Sequence, residues 1–387
     1  MDWLNLELKQ LLEELYSLGS KERINPNINN IKNVLLELSN PQFSFETIHI
    51  TGTNGKGTTS ALIYDILKTK YKVGLYTSPH LINFNERIRV NDKLILDKEI
   101  IKIYLFLKPF IKKYNLTFFE VTTIIAFIHF QNKKVDIAVI EVGMGGKWDA
   151  TNVVDSLISI ITRIDIDHSN YLGSQENIVK EKSGIIKENK TTITLANNVF
   201  LEIIKDKCIE MNNKLILVDD FNYDVIFKEN TALALRTIDE IENKFPIDKS
   251  LINKIISNFE FPGRFHFLKK NILLDGAHNL NGIKFLIKNL KNYVSEFEKV
   301  VVVFGCSKDK PYKNMIKELS SIADEFVFLE GDYWKSQNVD KLIEVGKNYT
   351  SSILYSTKKI KSLCNDKKVL YVITGSLYLL GEIYCQF

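Results

Sequence analysis

Apolar residues recur at two spacings along the chain, one suited to helices and the other to buried strands. Leu6, Leu8, Leu11, Leu12 and Leu15 place an apolar stripe on a helix over residues 5–17. The polar stretch Ser20–Asn27 then turns the chain into a second helix around 31–38. Residues 45–50 read as a strand that runs into a glycine-rich loop, and TSALIYDILKTK behind it reads as a helix. VDIAVIEV (135–142) and LISIITRI (157–164) are almost unbroken apolar runs, the pattern of parallel strands covered on both faces. With strands at 73–76 and 191–195 and helices at 98–114 and 120–130, this is a doubly wound α/β pattern. At 258–265, NFEFPGRF interrupts it, and Pro262-Gly263 reads as a hinge. A second α/β set follows, with strands at 272–274, 299–304, 325–329, 353–355 and 368–374. Two α/β domains are predicted, residues 1–261 and 262–387.

Bulk composition narrows the function classes. Among 387 residues, 51 basic and 47 acidic side chains leave a net charge of +4, and no basic stripe stands out, so a nucleic-acid partner is not expected. Cys208, Cys306, Cys364 and Cys385 form no CxxC pair, which argues against a disulfide framework and a zinc site. The amino terminus lacks the pattern of a signal peptide, and no apolar run is long enough to span a bilayer. A cytoplasmic protein with no membrane partner is expected.

The candidate chemistry sits where predicted strands end, the place where open α/β sheets bind ligands. Gly52, Thr53, Asn54, Gly55, Lys56, Gly57 and Thr58 lie between a strand and a helix. Backbone N–H groups there can wrap a phosphate chain, Lys56 can reach the β and γ phosphates, and Thr58 can offer its hydroxyl to Mg²⁺. Gly57 separates the lysine from the threonine, so the spacing departs from GxxxxGKS/T; an ordinary turn with a surface lysine is the alternative. Glu141, ahead of Gly143, Gly145 and Gly146, suits a magnesium ligand or a turn cap, and Asp149 and Asn152 beyond it suit structural roles. His168, in Asp165–His168, suits a metal, a phosphate or a purely structural bond. Lys182, flanked by Lys180 and Glu181, reads from spacing alone as helix-surface charge. Arg264 beside the hinge suits a phosphate, and Asp275, followed by His278, suits a ribose or a metal; an interdomain salt bridge is the alternative.

Taken in order, these blocks resemble the folylpolyglutamate synthase and dihydrofolate synthase family, a branch of the Mur ligases. The resemblance runs nearly end to end: ITGTNGKGT (50–58), TSPHLINFNERIRVN (77–91), EVGMGGKWDATNV (141–153), DIDHSNYLG (165–173), KEKSGIIK (180–187), FPGRF (261–265), LLDGAHN (273–279), FGCSKDK (304–310) and ITGSLYLLGE (373–382). It implies an α/β fold with a P-loop-containing Mur-ligase ATPase domain and a smaller Rossmann-like C-terminal domain. It also implies Thr58, Glu141 and His168 as ligands for two Mg²⁺ ions, a carbamylated Lys182, Arg264 and Asp275 at the nucleotide, and His278 in the active site. Thr77, Ser78, Pro79, His80, Asn85, Glu86 and Arg87 fall in the loop that such enzymes use on the pterin and folate side. Two substitutions depart from the family pattern. Lys147 and Trp148 replace an arginine–leucine pair, and lysine cannot form a bidentate fork; Ser183 stands where alanine is commoner.

The implied reaction is ATP-dependent addition of L-glutamate to the carboxylate of dihydropteroate or a folyl-polyglutamate, through an acyl phosphate, with domain closure. A monomer is expected, and K⁺ is a candidate additional ion. The rival readings are a Mur-type ligase for another acceptor, such as a peptidoglycan precursor, and a nucleotide-dependent switch. FNERIRVN argues against the former, and the lack of NKxD against a guanine switch.

Overall fold

The computed structural model describes residues 3–19, 27–165, 174–333, 335–350, 353–354 and 360–387. It divides into two compact units: residues 1–79 with 84–259, and residues 80–83 with 260–387.

The first unit is built on an eight-stranded sheet. Its strands are β1 (Glu46–Thr51), β2 (Val73–Tyr76), β3 (Ile88–Val90), β4 (Lys93–Leu94), β5 (Ile137–Glu141), β6 (Ile158–Ile161), β7 (Thr191–Leu195) and β8 (Lys214–Val218), in the order β4-β3-β2-β5-β1-β6-β7-β8. Pairing is parallel from β2 through β8, while β3 and β4 add antiparallel at one edge. All five residues of β5 are buried because helices cover both faces. Ala138 and Ile140 pack with Ile124 and Phe127 of the helix Phe118–Lys133, whereas Ile137 and Val139 pack with Leu62 and Ile63 of the helix Lys56–Leu67. A period-two pattern buried on both sides appears in sequence as a continuous apolar run.

The helix Phe118–Lys133 opens with a reciprocal cap. Thr117 Oγ1 accepts from Glu120 N, and the Glu120 carboxylate accepts from Thr117 N at 2.8 Å.

The second unit carries β9 (His266–Lys269), β10 (Ile272–Asp275), β11 (Lys299–Phe304), β12 (Glu325–Phe328), β13 (Ile353–Leu354) and β14 (Val369–Thr374), in the order β13-β12-β11-β14-β10-β9. Among these strands, as far as the described residues go, β9 alone pairs antiparallel. The presumed hinge is a closed turn, in which Arg264 N donates to Phe261 O at 2.9 Å and the chain passes directly into β9.

Candidate functional site

Strands β2, β5, β1 and β6 are consecutive in the sheet, so the loops leaving their carboxyl ends adjoin. The loop after β1 is held from below by the segment after β6. Thr53 N donates to Arg163 O at 2.8 Å, Asn54 Nδ2 to Asp165 Oδ2 at 2.9 Å, and Thr162 Oγ1 to Asn54 O at 2.7 Å. Gly52 has φ +152°, and a Cβ there would lie 1.8 Å from Thr162 Oγ1, so only glycine fits. The helix Lys56–Leu67 begins at the loop's lysine, which sets its positive end where phosphate oxygens would lie. Asn230 pins that start by donating to Gly55 O at 3.1 Å and Thr59 Oγ1 at 3.0 Å.

Two lysines from distant parts of the chain meet at this loop. Lys56 Nζ donates to Gly52 O at 3.1 Å, and Lys182 Nζ donates to the same oxygen at 2.8 Å. Lys182 is 5% exposed, so the surface-charge reading of its spacing is corrected: it is a buried side chain aimed at the loop. Close backbone approach makes this possible. A Cβ on Gly146 would come within 2.7 Å of Glu181 O and 2.9 Å of Lys182 O, so glycine lets the loop after β5 lie against the helix Gln175–Ser183. Lys147 N then donates to Glu181 O at 2.8 Å. Lys180, two residues away, pairs with Glu176 at the surface.

Glu141 ends β5 opposite Ile50 of β1 and is buried. Its Oε2 accepts from Ser78 N at 3.0 Å, joining the loop after β2 to the same cluster, and Thr51 Oγ1 donates to Gly145 O at 2.6 Å. Thr58 is 4% exposed at the helix start. A hydroxyl and a carboxylate are the hard oxygen donors that Mg²⁺ prefers, so this pair fits the ion. Among the described residues no group of three or more His, Cys, Asp or Glu side chains converges on a metal position. His168 and Asp167 lie outside the described residues.

The block 77–87 divides between the units. Thr77–Pro79 and Asn85–Arg87 belong to the first, and His80 to the second. Asn85 donates its amide hydrogens to Ile95 O and Asp97 Oδ1, both at 2.7 Å, leaving only its carbonyl for a ligand. Arg87 is buried, its guanidinium 5.4 Å from the Phe118 ring and 5.8 Å from that of Phe84. Glu86 is half-buried beside it. Where Lys147 and Trp148 depart from the family pattern, Lys147 Nζ lies 4.7 Å over the Trp148 ring, and Trp148 N donates to Glu181 Oε1 at 3.0 Å.

In the second unit, Asp275, Arg264 and His278 gather at the end of β10. Asp275 Oδ2 accepts from Phe265 N at 2.7 Å and Oδ1 from Ala277 N at 2.9 Å; burial pushes its carboxyl up, against the opposing pull of Arg264. These bonds shape the FPGRF turn and leave lone pairs for a ligand. Arg264 Nη1 reaches Gly276 O at 3.4 Å, and His278 Nδ1 lies 2.9 Å from the same oxygen.

Two groups passed over in the sequence, His49 and Lys187, lie beside the first cluster, the former fully buried on β1 and the latter half-buried at the end of KEKSGIIK. An ionisable residue inside an apolar strand was the available signal for His49. Among the described residues, no helix is long and apolar enough to cross a membrane.

Residues 50–267 match the Mur ligase middle domain, and residues 263–369 match the Mur ligase glutamate ligase domain. The dihydrofolate synthase/folylpolyglutamate synthase of Bacillus subtilis (strain 168) is 31% identical over 407 residues, covering 93% of this chain and 94% of that protein. The chain belongs to this family of Mur ligases. Among solved structures, the folylpolyglutamate synthase of Thermotoga maritima is 30% identical with a TM-score of 0.84, covering 97% of this chain and 96% of that one. The bifunctional folylpolyglutamate synthase/dihydrofolate synthase of Yersinia pestis, solved with AMPPNP and a manganese ion, is 25% identical with a TM-score of 0.85 over 97% of each chain. Membership makes the chain an ATP-dependent glutamate ligase with the two-domain α/β fold of the Mur enzymes.

Proposed function

We propose that the chain joins L-glutamate to the carboxylate of dihydropteroate and also to folyl-polyglutamates, acting in both steps of folate maturation. The observation that carries the site reading is the convergence of Lys56 and Lys182 on Gly52 O beside Glu141. In this reading the triphosphate lies along Gly52–Thr58, with backbone N–H groups and Lys56 holding its β and γ oxygens. The acceptor carboxylate attacks the γ phosphorus, ADP leaves, and an acyl phosphate forms. The glutamate amine then attacks the acyl carbon, phosphate leaves, and the nitrogen loses its proton. Lys56 offsets charge on the transferring group, and the buried setting keeps water from the acyl phosphate. Mg²⁺ held by Thr58 and Glu141 would supply further charge neutralisation there.

The proposal assigns the nucleotide-binding role to residues 1–261 and the glutamate-ligase role to 262–387, with Arg264 and Asp275 at the nucleotide and His278 at the active site. Thr77–His80 and Asn85–Arg87 are assigned to the folate side, and His168 to the metal. Carbamylation of Lys182, activation by K⁺ and a monomeric state complete it. Parallel assays with dihydropteroate and with a reduced folate, each with glutamate and ATP, test the dual role by product mass. Glutamate addition to both is expected, and addition to only one would overturn it.

A further inference from the structure

Two titratable side chains of the first unit, one buried and one half-buried, take no part in the chemical steps above. His49, on β1 three residues before Gly52, is fully buried, and its Nε2 lies 2.8 Å from Thr151 Oγ1. That hydroxyl donates to the Asp149 carboxylate. A hydroxyl has one proton to give, so Nε2 carries the hydrogen of the first contact and Thr151 accepts it. Nδ1 is then a bare acceptor, with no hydrogen-bond partner among the described residues. Burial first, and the Lys187 charge second, keep the ring neutral.

Asp149 also accepts from Thr151 N at 2.9 Å and from Met144 N at 3.0 Å, the latter in the loop that leaves Glu141. On the far side of the turn, Lys187 Nζ donates to Asn152 Oδ1 at 2.8 Å and to Asn152 O at 3.2 Å. The Asn152 amide donates to Gly184 O at 3.0 Å and Lys147 O at 3.1 Å. Gly184 directly follows the helix that bears Lys182. One turn therefore bonds to the strand feeding the phosphate loop, to the loop after Glu141 and to the end of the Lys182 helix.

We propose that the turn Asp149–Asn152 is a strut that sets the spacing of the phosphate loop, Glu141 and Lys182, with His49 and Lys187 as the positioning residues that hold it. Neither side chain touches substrate: His49 lies wholly inside the unit, and Lys187 spends its ammonium on Asn152. Their effect on the reaction is geometric, because small displacements of reacting groups cost large factors in rate. The inference rests on the proposed roles of Glu141 and Lys182.

The test compares His49→Gln, His49→Leu and Lys187→Met in the full chain. It measures kcat, KM for glutamate, melting and AMPPNP stoichiometry. His49→Leu and Lys187→Met are expected to lower kcat by about 10- to 100-fold. KM for glutamate should stay within about two-fold, the signature of an effect on the transition state. Melting should stay cooperative and AMPPNP stoichiometry unchanged. His49→Gln, whose amide N–H can replace Nε2–H, should recover most of kcat. Thr151→Val removes the partner hydroxyl from the other side and serves if His49→Leu fails to fold, with the same fall expected. Near-normal kcat per AMPPNP site in the Lys187→Met and Leu or Val variants would overturn the inference, as would a His49→Gln no better than His49→Leu. Controls separate the two layers. If Glu141→Gln and Lys182→Ala keep full turnover, the site reading itself is wrong. If they lose turnover while the positioning variants do not, only the strut is wrong.

Discussion

Lys56 and Lys182 stand 126 positions apart and share one carbonyl acceptor. The sequence alone pointed to Lys56, because a strand, a glycine-rich turn and a helix give a lysine at that place a phosphate to reach. Lys182 was not legible from its spacing: in Lys180-Glu181-Lys182 nothing marks one charge as buried. Only the family resemblance raised it. Replacing Lys56 with alanine is expected to cut ATP-dependent glutamate addition by a factor on the order of 10²–10³ or more, as loss of a transition-state charge contact does. Melting should shift little, and near-normal turnover would remove the loop from the mechanism. His129, buried in the helix Phe118–Lys133, carries a different consequence. Burial pulls it from 6.5 to about 4, with the Glu99 carboxylate opposing. The unfolded chain therefore takes up this proton below pH ~6.5 while the folded chain does not, and stability is lost as pH falls from ~6.5 toward ~4. The urea midpoint of His129→Gln should drop less than that of the parent chain between pH ~7.5 and ~5.5. Equal drops would exclude His129 as the source.

Among the elements, legibility followed burial. Strands β5 and β6 announced themselves as apolar runs because helices cover both their faces. Four strands at or beside an edge did not, although the edge strand β13 did. β8 exposes Leu217 between buried Ile216 and Val218, and β3 and β4 are too short to show a period. β9 is four residues long, begins directly after the segment read as a hinge at 258–265, and was not read as a strand. The contact between the loop after β5 and the helix Gln175–Ser183 was equally invisible, since a glycine signals that something comes close but not what. Gly146→Ala tests that contact. Its methyl must displace the backbone of Glu181 and Lys182. A stability loss of about 1–3 kcal/mol is expected. The fall in turnover should exceed about ten-fold, because Lys182 moves with its helix. Unchanged turnover at reduced stability would show that Lys182 needs no such placement.

For the molecule as a whole, the alternation of strands and helices fixed the class and the number of units. Chain membership was subtler, since residues 80–83 belong to the second unit although they lie deep within the sequence of the first. A Cβ on Gly381 would meet Leu81 O at 1.9 Å, so the helix Leu377–Tyr384 accepts that short segment only because it carries glycine there. No local pattern in TSPHLINFNERIRVN signals such an exchange. The central claim, that the two units support glutamate ligation through an acyl phosphate, has a direct isotopic test. Dihydropteroate labelled with ¹⁸O in its carboxylate is supplied with glutamate, ATP and Mg²⁺, and the released phosphate is weighed by mass spectrometry. The account predicts amide product, ADP, and phosphate bearing an ¹⁸O drawn from the carboxylate. Amide formation with unlabelled phosphate, or with AMP in place of ADP, would contradict it.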